Sequence, residues 1–239
     1  MKPQIVVGDH AEELRAIQLL GLALLDLAAR INLERPTECR RIVVPPLLKA
    51  AASSLFLAGA AGLQTQIEIL ALATRNTFEL WLRFKHVTSS DTNCKRWRDE
   101  NLTDQLQIYE AVLTLPGQPN SKETIREEMR RVTKLAKERG VKPAGKPLKA
   151  VELAREVGEQ EDYAAFYKLY SKLVHPSSWS VNSPSAVATP MYRQTLVINA
   201  QIYGWRLLHA VEEQFGVSAD RSYEAASQQM PQRPLKNDH

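Results

Sequence analysis

The sequence predicts an all-α protein, an irregular multi-helix bundle carrying a basic helical insertion, and three observations predict it. Apolar residues recur at three- and four-residue intervals through most of the 239 residues, the pattern of helices that bury one stripe. No segment of useful length alternates apolar and polar residues with β-branched enrichment, so a sheet has no source. Hydrophobic residues make up 44% and charged residues 24%, which lies in the range of globular chains and excludes a chain disordered throughout.

Leu14, Ile17, Leu20, Leu24, Leu27 and Ile31 mark an amphipathic helix over residues 11–33, with Asp9 placed to cap its orphan amides. Pro45 and Pro46 punctuate the chain before a helical region over 47–87 that Gly59 and Gly62 divide. After the turn signal at residues 89–93, helical spacing resumes over 94–115. A further helix runs from Ser121, a candidate cap, to Arg139, where Gly140 stops it. Short helices follow over 148–157 and 161–174, the latter ending because Pro176 disfavours helical geometry at His175. A longer loop leads to a strong helix over 191–215 closed by Gly216, and a weaker one over 217–229.

The expected organisation is one helical domain over 1–229, with a peripheral basic helix and loop at 121–149 and a disordered tail at 230–239. Cys39 and Cys94 have neither metal-binding nor Cys-x-x-Cys spacing, so they read as reduced thiols in a cytoplasmic protein with no metal or cofactor. The apolar start is too short for a signal peptide. Residues 50–63, rich in Ala, Ser and Gly, are too short for a membrane span, which needs about 20 apolar residues. They read as a site of close helix packing.

Charge collects between Lys122 and Lys149, where ten Lys and Arg residues meet four Glu, a local excess of +6 in a chain of +4 overall. Such an arm can hold phosphates by releasing counterions, and Arg126, Arg130, Lys134 and Lys137 are the candidate nucleic-acid contacts. The competing reading is a solvated helix docked through Ile125, Met129, Val132 and Leu135. The segment has no aromatic residue on which bases would stack.

On a helix advancing 100° per residue, Gln64, Glu68, Arg75, Glu79 and His86 share one narrow sector. Arg75 and Glu79 form an i,i+4 pair that either faces water, where it is worth a few tenths of a kcal/mol, or faces a cleft. In a cleft, Glu79 would fix the Arg75 guanidinium and leave donors for an anionic ligand. Downstream, Tyr163, Tyr167, Ser171 and His175 repeat at four-residue steps and share a face. An imidazole at a helix C-terminus meets the negative end of the dipole, so general acid/base work is open to it. Its bland alternative is a cap on the last carbonyls. Signatures of the common hydrolases, nucleotide-binding loops and metalloenzymes are missing.

Two stretches carry a family resemblance: Leu72-Ala-Thr-Arg-Asn-Thr-Phe-Glu-Leu80 and residues 167–178, with their Ser-Lys-Leu-Val-His-Pro-Ser core. An Arg-x-x-x-Glu helix followed far downstream by a Ser-x-x-x-His-Pro-Ser helix end resembles the bacterial DUF5677 family of uncharacterised helical proteins, over residues 11–213. The resemblance implies an all-helical cytoplasmic protein in which Arg75, Glu79, Ser171 and His175 belong to one site. The family is also similar in layout to HEPN-type helical domains, many of which are RNA-cleaving toxins or components of antiviral defence. Those nucleases place an Arg and a His four to six residues apart on one helix. Here the cations nearest upstream of His175 are Lys172 and Lys168, so a nuclease would need Arg75 to arrive from another helix.

Two functions follow as expectations. One is a metal-independent ribonuclease, a toxin or defence component, acting on RNA or another anionic ligand through a composite Arg75/His175 site. The other is a noncatalytic binding or assembly module in which Arg75, Glu79, Ser171 and His175 form a structural polar network. Either version can form a homo-oligomer through apolar faces of residues 191–229. Neither involves a membrane.

Overall fold

Asp9 starts the first helix as its position predicts: its carboxylate accepts a hydrogen bond from the Glu12 amide at 2.9 Å, and α1 spans His10–Glu34. The computed structural model describes residues 2–34, 38–63, 66–117, 119–142 and 145–229. Helix α2 spans Cys39–Leu63 and α3 Ile67–Ser89. Helices α4 (Asp91–Thr114) and α5 (Pro119–Glu138) form a hairpin. Then come α6 (Ala150–Glu156), α7 (Gln160–Asp162), a π-helical turn (Tyr163–Tyr167) and α8 (Lys168–Val174). Helices α9 (Ser178–Asn182), α10 (Pro184–Val187), α11 (Pro190–Phe215) and α12 (Ala219–Gln229) complete the chain. All regular structure among the described residues is helical. The expected tail at 230–239 and Gln64 fall outside them.

The core lies where α1, α2, α3 and α11 meet. All six apolar residues that define the α1 stripe are buried. Ala51, Ala52, Ala58 and Gly62 on α2 are buried against it, which is the close packing expected of that segment. Gly21 on α1 shows how close: a Cβ there would lie 2.7 Å from Cε1 of Phe56. Counted from Cys39, α2 is long and apolar enough to cross a membrane by length and composition, and over half of its most apolar window is buried in the protein.

Four features differ from expectation. Pro45 and Pro46 lie inside α2 rather than before it. Each removes one helical N–H and costs about 3 kcal/mol in an isolated helix, but Val43, Val44, Leu47 and Leu48 around them are all buried, and that burial holds the helix through the break. Ser121 lies within α5, because Pro119 opens that helix at the position where a missing N–H costs least. The stretch after His175 is not one loop but contains α9 and α10; Ser177 caps α9, accepting from the Ser180 amide at 3.1 Å. Cys39 and Cys94 are not separate thiols: they form a disulfide joining the starts of α2 and α4, with Cα atoms 6.3 Å apart. Fifty-five residues separate them in sequence, so their meeting is a product of the fold.

The N-terminal residues lie along α11. Buried Gln201 accepts from the Val6 amide at 2.9 Å and donates to the Val6 carbonyl at 3.0 Å, while the Trp205 indole donates to Gln4. The apolar face of α11 is buried against α1 and α3.

Candidate functional site

Helix α3 runs through the centre of the bundle and packs against α8. Phe78, Leu82 and Thr74 point into the core, which leaves the sector holding Arg75 and Glu79 at the edge of α3, facing α8. On the other side of that contact, Tyr170 and Leu173 of α8 are buried, and this turns Tyr167, at the end of the π-helical turn, and His175, which caps α8, towards α3.

The two faces meet at Arg75. Its Nε donates to Glu79 Oε1 at 2.8 Å, its Nη2 donates to the Tyr167 hydroxyl at 2.6 Å, and Tyr167 in turn donates to Glu79 Oε1 at 3.0 Å. The guanidinium also lies over the Tyr167 ring, 4.7 Å from its centroid, and that ring stacks on Tyr163. Arg75 Nη1 reaches His175 Nε2 at 3.4 Å across 100 residues of sequence. Because guanidinium has no acceptor, this contact is a hydrogen bond only where His175 Nε2 accepts.

Ser171 enters through its main chain: its carbonyl accepts from the His175 amide at 3.1 Å. Among the described residues its hydroxyl makes no hydrogen bond. Residue 175 has left helical geometry, with φ −97° and ψ 146°, so Pro176 stops the helix where expected. His175 is exposed and Arg75 half-buried.

Burial alone lowers the pKa of the Arg75 guanidinium, but the hydrogen bond and charge of Glu79, helped by Tyr167, outweigh it and leave the group above its ordinary value. Burial first, and then Glu79, pushes the Tyr167 phenol up to about 12. At neutral pH the cluster therefore holds a fixed cation and a protonated phenol, beside the exposed ring of His175. Among the described residues, three of the five Arg75 N–H groups have protein partners, and two remain for an anion.

The rest of the predicted polar line does not join this cluster. Glu68 is exposed. His86 is buried and lies 3.1 Å from Glu156; burial is the main cause that pulls its pKa below the ordinary value, against the opposing pull of Glu156. The basic candidates occupy a separate place: Arg126, Arg130, Lys134 and Lys137 are exposed on α5, which packs on α4. Arg126 and Arg130 both pair with Glu123, at 3.3 and 2.8 Å.

Tyr167 is the member that sequence reasoning left out of the site. The signal was present, since it stands two four-residue steps before His175. Spacing along one helix could not show that the hydroxyl would bridge Arg75 and Glu79 on another.

A family model described as "Family of unknown function (DUF5677)" matches residues 53–184, a span that includes all five residues of this cluster. No curated protein and no solved structure gives a significant match.

Proposed function

Because the chain belongs to the DUF5677 family, whose function is unknown, its activity has to be argued from the site, and we propose that it is a metal-independent ribonuclease with a composite Arg75/His175 centre. The observation that carries the reading is the approach of Arg75 Nη1 to His175 Nε2, at 3.4 Å, at an exposed edge of the bundle. It supplies from two helices the pair that HEPN-type nucleases hold on one. In the proposed reaction bound RNA displaces the 3.4 Å contact from Arg75 Nη1, and His175 Nε2, its lone pair freed, takes the proton of the 2′-hydroxyl as that oxygen attacks the adjacent phosphorus. The unpartnered Arg75 N–H groups hold the non-bridging oxygens as charge builds on them. The bond from phosphorus to the 5′ oxygen breaks and that oxygen takes a proton from water, leaving a 2′,3′-cyclic phosphate and a 5′-hydroxyl. Arg126, Arg130, Lys134 and Lys137 are the proposed backbone contacts, and a toxin or defence role would follow from the cleavage.

The test is purified protein with cellular RNA in EDTA, beside His175→Ala and Arg75→Ala. Cleavage by the parent protein that both variants lose is the expected result. Absence of cleavage in every sample, or equal cleavage in all, overturns the proposal.

A second reading has its own observation: Arg75, Glu79 and Tyr167 form a closed triangle of hydrogen bonds, as a structural clasp between α3 and the π-helical turn would. On that reading Arg75→Ala lowers the melting temperature as a core substitution does. An unchanged melt would sink it.

A further inference from the structure

Helix α8 carries a second set of groups beside the Arg75–His175 pair. On a helix advancing 100° per residue, Lys168, Ser171, Lys172 and the capping position His175 fall within a sector of about 100° that lies opposite buried Tyr170 and Leu173. Lys168, Lys172 and His175 are exposed and Ser171 is half-buried. The outward face of α8 therefore turns two ammonium groups and the imidazole to solvent, with Arg75 at its edge.

The chain itself does not neutralise these cations. Among the described residues neither Lys168 nor Lys172 pairs with a carboxylate, and the sequence holds no Asp or Glu from Tyr163 to Val211. The arginines of α5 differ: Arg126 and Arg130 share Glu123, and Arg131 pairs with Glu128. Lys172 stands in the last turn of α8, where its charge also meets the negative end of the helix dipole. That effect falls off within one turn and does not account for Lys168, a full turn earlier.

Position selects the ligand. Lys172 and Lys168 stand three and seven residues before His175, about 4.5 and 10 Å along the axis. Both lie on the same side of the proposed reaction centre, and 10 Å is the length of about three stacked nucleotides at roughly 3.4 Å each. Unpaired cations leading up to an Arg/His pair fit a polyanion whose further phosphates follow the reacting one. In-line attack by a 2′-hydroxyl also requires the strand to leave duplex geometry, and an unpaired strand does so at least cost.

Resting on the ribonuclease reading of this site, we propose that its substrate is single-stranded RNA laid along α8, with Lys168 and Lys172 holding phosphates within about three nucleotides of the bond that is cut. The probe is a fluorescent 2′-O-methyl RNA of about 12 nucleotides. It lacks the attacking hydroxyl and stays intact while the whole chain is titrated in at several salt concentrations. Each phosphate contact on a single strand contributes about −0.7 to the slope of log K against log salt. Lys168→Ala combined with Lys172→Ala should therefore make the slope shallower by about 1.4 and weaken binding about 25-fold at about 0.1 M salt. Both positions are exposed, so the melting temperature should not change. Lys49→Ala combined with Lys95→Ala removes the same charge from exposed positions on α2 and α4 and should leave the slope as it is. No binding by the parent protein, an unchanged slope in the α8 variant, or an equal change in the α2/α4 variant overturns the proposal. So does a base-paired probe of the same sequence that binds as tightly as the single strand. The two readings fail separately. Cleavage in EDTA that the α8 variant keeps in full sinks the lysine contacts alone, whereas the shallower slope without any cleavage sinks the ribonuclease and leaves the RNA contacts standing.

Discussion

Tyr170→Phe should destabilise this protein more than Tyr203→Phe, although the two hydroxyls bond each other. Tyr170, Tyr203 and Asn199 are all buried, at 0%, 1% and 3% exposure. Asn199 Nδ2 donates to the Tyr170 hydroxyl at 2.9 Å, and that hydroxyl lies 3.2 Å from the Tyr203 hydroxyl. Burial pushes the Tyr170 phenol well above its usual value and that of Tyr203 up to about 12, so both remain protonated. Tyr170 is the hub. Its loss strands two buried groups, the Asn199 amide and the Tyr203 hydroxyl, at about 1–3 kcal/mol each before relaxation. Replacing Tyr203 breaks one bond and leaves Asn199 paired, at about 1 kcal/mol. We expect a loss of about 2–4 kcal/mol for Tyr170→Phe, which for a chain of this size is roughly 4–16 °C in melting temperature. Urea unfolding followed by circular dichroism, with equal slopes for both variants, measures the difference. If Tyr203→Phe costs as much as Tyr170→Phe, the hub assignment is wrong.

Three further outcomes are expected. Reducing the Cys39–Cys94 bridge, which spans 55 residues, should lower stability by about 4 kcal/mol on the chain-entropy account; melts with and without dithiothreitol, alongside thiol titration, check it, and an unchanged melt after full reduction contradicts it. Tyr167→Phe keeps the ring over Arg75 but loses both hydroxyl bonds at a partly exposed cluster, where water replaces them, so about 1 kcal/mol should be lost in urea unfolding and not a core-sized amount. Burial lowers the folded pKa of His86 below its ordinary 6.5, so the unfolded chain binds the proton more readily: the stability contribution is complete above pH 6.5 and declines as pH falls below it. The buried Glu100, raised mainly by burial, contributes with the opposite sign above its ordinary 4.5. His86→Gln leaves Glu100 in place, so its melting temperature should fall less steeply than that of the parent protein between about pH 6.5 and 5. Parallel curves would contradict this.

Local rules were readable from the sequence. The Asp9 cap, the α1 stripe, the stop at Gly216 and the Arg75–Glu79 spacing each depend on residues within one or two helical turns, and each is found. Pro45 and Pro46 misled because their local cost is set against the burial of Val44 and Leu48, which only packing partners on other helices reveal. The Cys39–Cys94 bridge and the meeting of Tyr167 with Glu79 are contacts between distant segments, and no periodicity in one chain specifies them.

The π-helical turn at Tyr163–Tyr167 makes residue count a form of phase control. Such a turn takes in one residue more than an α-helical turn, so everything after it is rotated by about 100° from where an unbroken helix would place it. Deleting Ala164 or Ala165 would let the turn close into ordinary α-helix and leave Tyr167, Tyr170 and His175 on the faces they now hold, whereas closing the turn with every residue kept would swing those faces by about 100° and dismantle the Arg75 cluster or pull Tyr170 out of the core. The extra residue of the π turn is thus what keeps Tyr167 and His175 in phase with Arg75.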